Sequence, residues 1–127
     1  MKVSELTGAM LDYWVARAEG YEYVDVPPDA DGKNAGRALL PPGLLDSGWK
    51  FPPKGPVGDW VKKYSSNWET GGPIIEREKI AIRESDGVWV AWHKCGWTFN
   101  GQTPLVAAMR THVASKFGGT VPDTEAA

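Results

Sequence analysis

Cysteine is nearly missing from this chain: Cys95 is the one thiol in 127 residues. One thiol cannot close an internal disulfide, so nothing points to a secreted, disulfide-held scaffold. A basic excess is missing too, with 14 Lys and Arg against 16 Asp and Glu and a net charge of −2. Neutralising a phosphate backbone needs such an excess, so nucleic-acid binding is disfavoured. No apolar run approaches the ~20 residues of a membrane span. The opening Met1-Lys2-Val3-Ser4-Glu5-Leu6 lacks the apolar stretch of a signal peptide. A soluble, cytoplasmic, single-domain protein is expected, its domain covering 1–121 and a flexible tail following over 122–127.

Tryptophan, by contrast, is abundant: Trp14, Trp49, Trp60, Trp68, Trp89, Trp92 and Trp97. Seven indoles exceed what a small core hides easily, so one or two are expected to line a groove or an interface. The same excess suggests self-association, most simply as a two-fold homodimer.

Local signals divide the chain. Thr7 is a capping residue for a helix running to about Glu19, with Leu6 and Leu11 placed as a hydrophobic staple. Leu11, Trp14, Val15 and Ala18 form its inner face, and Gly20 stops it. Tyr21 to Val26 reads as a strand ended by Pro27-Pro28. From 27 to 60 the chain is dense in Pro and Gly and reads as one long loop, with a short strand expected around Trp49-Lys50-Phe51. Ile74 to Glu76 reads as extended after a Gly71-Gly72-Pro73 turn. Lys79–Glu84 and Val88–Trp92 read as a hairpin. A two-residue Asp86-Gly87 turn would pair Ile82 with Ala91. A three-residue Ser85-Asp86-Gly87 loop pairs Ile82 with Val90, puts Arg83 opposite Trp89 and is preferred, because it gathers the apolar side chains on one face. Thr103 and Pro104 open a last helix to about Phe117, with Leu105, Val106, Met109, Val113 and Phe117 inward and Gly118-Gly119 ending it. The predicted class is α+β: two helices on a small antiparallel sheet with a long Pro/Gly-rich loop.

Catalytic signatures are absent. His93, Cys95 and His112 lack the spacing of a zinc site, and no metal or cofactor is expected. His93 is expected at a strand end, His112 on a helix flank and Cys95 as a buried or half-buried core residue. A Cys95–His112 dyad has no local signature. Glu76 and Glu78 would share a face of an extended segment, as acid–base pairs can, although a solvated strand edge is the simpler reading. The segment Gly32-Lys33-Asn34-Ala35-Gly36-Arg37 could clasp an anion and reads by default as a polar loop. The start of the last helix, at Thr103 to Val106 with Arg110 two turns on, could take a small anionic or planar ligand. Trp68 follows no apolar period, so its indole could stack on a ligand or anchor a partner; the alternative is that it plugs its loop onto the sheet.

Three blocks resemble one family. They are Glu5-Leu6-Thr7-Gly8-Ala9-Met10-Leu11-Asp12-Tyr13-Trp14-Val15-Ala16, then Ser66-Asn67-Trp68-Glu69-Thr70-Gly71-Gly72-Pro73-Ile74-Ile75-Glu76-Arg77-Glu78, then Thr103-Pro104-Leu105-Val106-Ala107-Ala108-Met109-Arg110 with Val113-Ala114-Ser115-Lys116. In this they look like the NinX-like proteins of bacteriophages and prophages, a family of unknown function. The resemblance implies a phage-encoded accessory protein acting in the host cytoplasm, and it brings no active site with it.

The leading expectation is a non-enzymatic binder of a small nucleotide-like molecule or a host protein, for example one that sequesters a nucleotide signal of host defence. Its binding residues would be Asn67, Trp68, Gly71, Gly72, Pro73, Thr103 and Arg110. Two rivals stand beside it. One is a small hydrolase using Glu76, Glu78 or His93. The other is a weak nucleic-acid binder with a basic stripe of Lys50, Lys54, Lys62 and Lys63.

Overall fold

The computed structural model describes residues 1–28, 36–50 and 60–122. Its elements in chain order are α1 (Gly8–Ala18), β1 (Glu22–Val26), β2 (Gly36–Leu40), α2 (Trp68–Glu78), β3 (Ala81–Ser85), β4 (Val88–Trp92), β5 (Thr98–Gly101) and α3 (Pro104–Phe117). Single helical turns lie at Val3–Glu5 and Leu45–Ser47. β1 and β2 form one antiparallel pair, and β3-β4-β5 form an antiparallel sheet. The fold is α+β, as the sequence predicts.

α3 is the centre of the core. It packs on β3, β4 and β5 and against α1 and α2. Thr103 caps it as expected, its Oγ1 accepting the Val106 N–H at 3.1 Å. Leu105, Met109 and Val113 are buried, and so are Ala107, Ala108, Thr111, His112 and Ala114. The helix therefore has little outer face, and small side chains let its neighbours approach. Phe117, expected inside, is exposed and meets Trp14 edge-on at 5.4 Å.

In α1, Leu6 and Leu11 are both buried, consistent with the staple, and Gly20 takes a left-handed φ of 99° just past the helix. Thr7 departs from expectation, because its hydroxyl makes no capping bond. Gly8 stands at φ +54°, which turns the first peptide out of normal capping geometry.

α2 is the main correction. The run around Trp68 and Gly71-Gly72-Pro73 reads locally as a loop and turn followed by an extended segment, yet it is helix. Asn67 Oδ1 accepts the Glu69 N–H at 2.9 Å and starts the helix. Gly71 and Ile74 are its buried positions, and Lys79 ends it at a left-handed φ of 55°. Pro73 lacks one helical donor, but it sits on the exposed side. Packing overrides the weak local propensity of the Gly pair. A Cβ on Gly71 would collide with the Tyr64 carbonyl oxygen and lie 2.7 Å from Leu105 Cδ2.

The hairpin uses the two-residue turn. Ile82 pairs with Ala91 and Arg83 with Val90, so Arg83 does not face Trp89. Asp86 and Gly87 have φ of 53° and 81°, as a type I′ turn requires. This register aligns Ile82, Ala91 and Phe99 toward α3 and leaves Val88 and Trp92 exposed on the other face. β2 falls inside the stretch expected to be irregular, and it pairs with β1 from Glu22↔Leu40 to Val26↔Gly36. Trp49 and Lys50 form no strand, and Phe51 lies outside the described residues. At the chain ends, the Met1 ammonium donates to Val121 O at 2.8 Å and Val3 N–H to Gly119 O at 3.0 Å. Of the expected tail, residues 123–127 lie outside the description. Among the described residues no helix is long and apolar enough to cross a membrane.

Adjacent glycines make a clean test of this packing. Gly71→Ala is expected to destabilise the protein by about 2–3 kcal/mol through overpacking. Gly72→Ala meets only Trp68 Cε3 at 3.7 Å and is expected to stabilise by about 0.5–1 kcal/mol through helix propensity. Urea unfolding of the two variants checks both signs.

Candidate functional site

The start of α3 is flanked by two hollows that share Thr103 and Val106. The first, of about 390 Å³, is lined by Gly8, Ser65, Ser66, Trp68, Thr103, Leu105 and Val106. The second, of about 460 Å³, includes Thr7, Val88, Asn100, Thr103, Val106 and Arg110. Trp68 stands on the first turn of α2 with 54 % of its surface exposed, the most open of the large apolar side chains described. A helix, rather than a flexible loop, holds its indole over the first hollow.

The other expected site residues differ in role. Thr103 lines both hollows, while its hydroxyl is committed to capping α3. Asn67 uses its side chain to cap α2. Gly71 is buried at the α2–α3 contact, and neither it nor Pro73 lines either hollow. Gly72 lies beneath the Trp68 ring. Arg110 lines the second hollow and also ties the chain together. Its Nε donates to Leu6 O at 2.9 Å and its Nη1 to Asn100 O at 2.8 Å. Burial lowers the Arg110 pKa from the usual arginine value. Gly8, Ser65 and Ser66, which sequence reasoning did not select, complete the first hollow. They come from other helix starts, and no local spacing marks them as neighbours of Trp68.

A second cluster holds most of the polar chemistry. Arg77 makes a bidentate pair with Glu19, at 2.8 Å (Nη1–Oε1) and 2.7 Å (Nη2–Oε2). His112 Nε2 lies 2.9 Å from Glu19 Oε2. His112 is fully buried rather than on a helix flank, and among the described residues its Nδ1 has no partner. Burial opposes ionisation of Glu19, but hydrogen bonds from Arg77 and His112 outweigh it and bring its pKa down to about 2. The Glu19 pair raises the Arg77 pKa further above its usual range. Arg77 Nε also reaches Glu78 Oε2 at 3.0 Å, and Glu78 Oε1 is 3.3 Å from His93 Nε2. His93 Nδ1 accepts the Cys95 N–H at 3.1 Å, which assigns the ring proton to Nε2, facing Glu78.

This geometry does not assemble the rival hydrolase. Glu76 is exposed, and positions two apart on a helix do not share a face. The hydrogen bond from Arg77 holds Glu78 below the usual carboxylate range, the opposite of a raised catalytic acid. Cys95 is exposed instead of buried, while His112 is enclosed against Glu19, so they form no dyad. Among the described residues no group of three or more His, Cys, Asp or Glu side chains could hold a metal. Of the anion-clasp segment, Gly32 to Ala35 lie outside the description, and the Arg37 guanidinium stacks on the Tyr23 ring at 4.3 Å. Lys50, Lys62 and Lys63 are exposed, and Lys54 lies outside the described residues.

The sequence profile of the family described as Bacteriophage P22, NinX matches residues 2–116. The chain belongs to this family. A search of the curated proteins finds no match. The NinX match spans α1 through nearly all of α3, so both hollows and the Glu19 cluster lie within the family's extent.

Glu19 also sets an acid limit. An ordinary carboxyl titrates near 4.5, whereas folded Glu19 titrates at about 2. Its contribution is therefore complete above pH 4.5 and disappears as the pH falls to about 2. The upper bound is about 3 kcal/mol, less screening at the half-exposed Arg77. Urea midpoints between pH 5 and about 2 should fall for the parent chain, and Glu19→Gln should lower the midpoint at neutral pH and flatten the decline.

Proposed function

We propose that this NinX-family phage accessory protein is a non-enzymatic binder of a small nucleotide-like ligand in the host cytoplasm. The observation that carries the reading is the Trp68 indole, 54 % exposed at the rim of the first hollow. An indole face stacks on any nucleobase, and a helix start favours an anionic group. The hollow's volume of about 390 Å³ lies within the range of small-ligand sites. The ion pairs around Glu19 tie helices together, Glu78 joins α2 to His93 just past β4, and both clusters lie away from the residues that line this hollow. A binder of this kind could act by holding a nucleotide signal of host defence out of circulation.

Isothermal titration against a panel of cyclic and linear nucleotides tests the reading. At least one should bind saturably, and Trp68→Ala should weaken it by about 1–3 kcal/mol while leaving the urea midpoint within about 0.5 kcal/mol. No heat from any member of the panel, or equal affinity for the variant, would defeat it.

A further inference from the structure

The starts of all three helices border the Trp68 hollow. Gly8 opens α1, Ser65, Ser66 and Trp68 lead into α2, and Thr103, Leu105 and Val106 open α3. The first N–H groups of a helix have no acceptor within it, and each start carries a partial positive charge. Three such starts around one space focus positive potential there.

A separate observation points to an occupant. Ser65 is only 7 % exposed and stands in the wall of the hollow. Its N–H is committed to Asp12 Oδ1 at 2.8 Å. Among the described residues its hydroxyl has no hydrogen-bond partner. The residue is buried while its hydroxyl opens to the hollow, so the O–H is free to donate to whatever enters there. The start of α1 is equally bare. Thr7 does not cap it, and Gly8 at φ +54° has open space where a side chain would stand.

We propose that this hollow is an oxyanion subsite for the terminal phosphate of a monoester. The Ser65 and Ser66 hydroxyls and one N–H group from each helix start, those of Gly8, Trp68 and Leu105, are its donors, the Glu69 and Val106 N–H groups being taken by the Asn67 and Thr103 caps. The inference deepens the Trp68 reading by setting the ligand's direction, with phosphate at the helix starts and base on the indole. A phosphate dianion has three strong acceptor oxygens, which suits donors arriving from three helices. Asp12, behind Ser65, opposes the added charge. Inorganic phosphate alone should therefore bind weakly, with Kd on the order of millimolar.

The test is titration of the ¹⁵N-labelled full chain with inorganic phosphate at constant ionic strength. Saturable shifts are expected at the amides of Gly8, Ser65, Trp68 and Leu105. Ser65→Ala should raise the phosphate Kd about five- to tenfold with no loss of stability, because its hydroxyl bonds nothing in the protein. Ser66→Asp, at an exposed position, should abolish the saturable shifts by placing a carboxylate in the phosphate's space. Non-saturating shifts, or saturation unchanged in both variants, would overturn the subsite. Nucleosides binding as tightly as their monophosphates would overturn it too and leave the stacking reading intact. Saturable phosphate binding with no nucleotide response would do the reverse, supporting the subsite and removing the stacked base.

Discussion

The Glu19 carboxylate is the interaction on which the arrangement of the helices depends. It stands at the end of α1, takes Arg77 from the last turn of α2 and meets buried His112 on α3. A carboxylate at a helix C-terminus opposes the local dipole, and burial adds a desolvation cost. Both are offset only because the guanidinium fits the carboxylate in a two-bond fork and the imidazole supplies a third contact. Removing any member leaves a buried polar group without its complement.

Tying the ends of α1 and α2 together has a consequence at the opposite ends. The three helices begin around one hollow, so their dipoles point the same way there. Aligned dipoles repel, and close packing must hold them. Gly71 makes that packing possible, because a Cβ there would strike the Tyr64 backbone and Leu105; Gly101 does the same for β5 against α3, where a Cβ would lie 2.5 Å from the Ala107 nitrogen. The polar cluster joins the three helices through Glu19, and Gly71 lets α2 touch α3.

The sequence was legible where a signal is local. The Thr103-Pro104 start of α3, the Gly20 stop and the staple of Leu6 with Leu11 need only near neighbours. The Trp68 indole was read as open because its flanking residues are polar, which remains true on a helix. What failed was non-local. The Gly71-Gly72-Pro73 run carries every mark of a turn, and only the approach of Tyr64 and Leu105 makes it helix. Four apolar residues favour the three-residue hairpin loop, whereas Asp86-Gly87 chemistry and pairing with β5 decide the register. β2 lies in a Pro- and Gly-rich stretch, and β5 is a four-residue strand that a window cannot distinguish from loop. Gly8 and Ser65 meet Trp68 only after folding, so the hollow's wall was invisible while its most exposed member was not.

The contact between Arg110 and Asn100 O gives the larger sheet a polarity. In the observed register Asn100 turns its backbone oxygen away from β4, so Arg110 closes the free edge of β5. The other flank, β3, turns the backbone of Ile82 and Glu84 outward, with no strand beside it among the described residues. Growth of this sheet is therefore one-sided. Two copies meeting symmetrically about Arg83 along that flank would bring two guanidinium groups face to face, so like-charge repulsion discourages that lateral pairing.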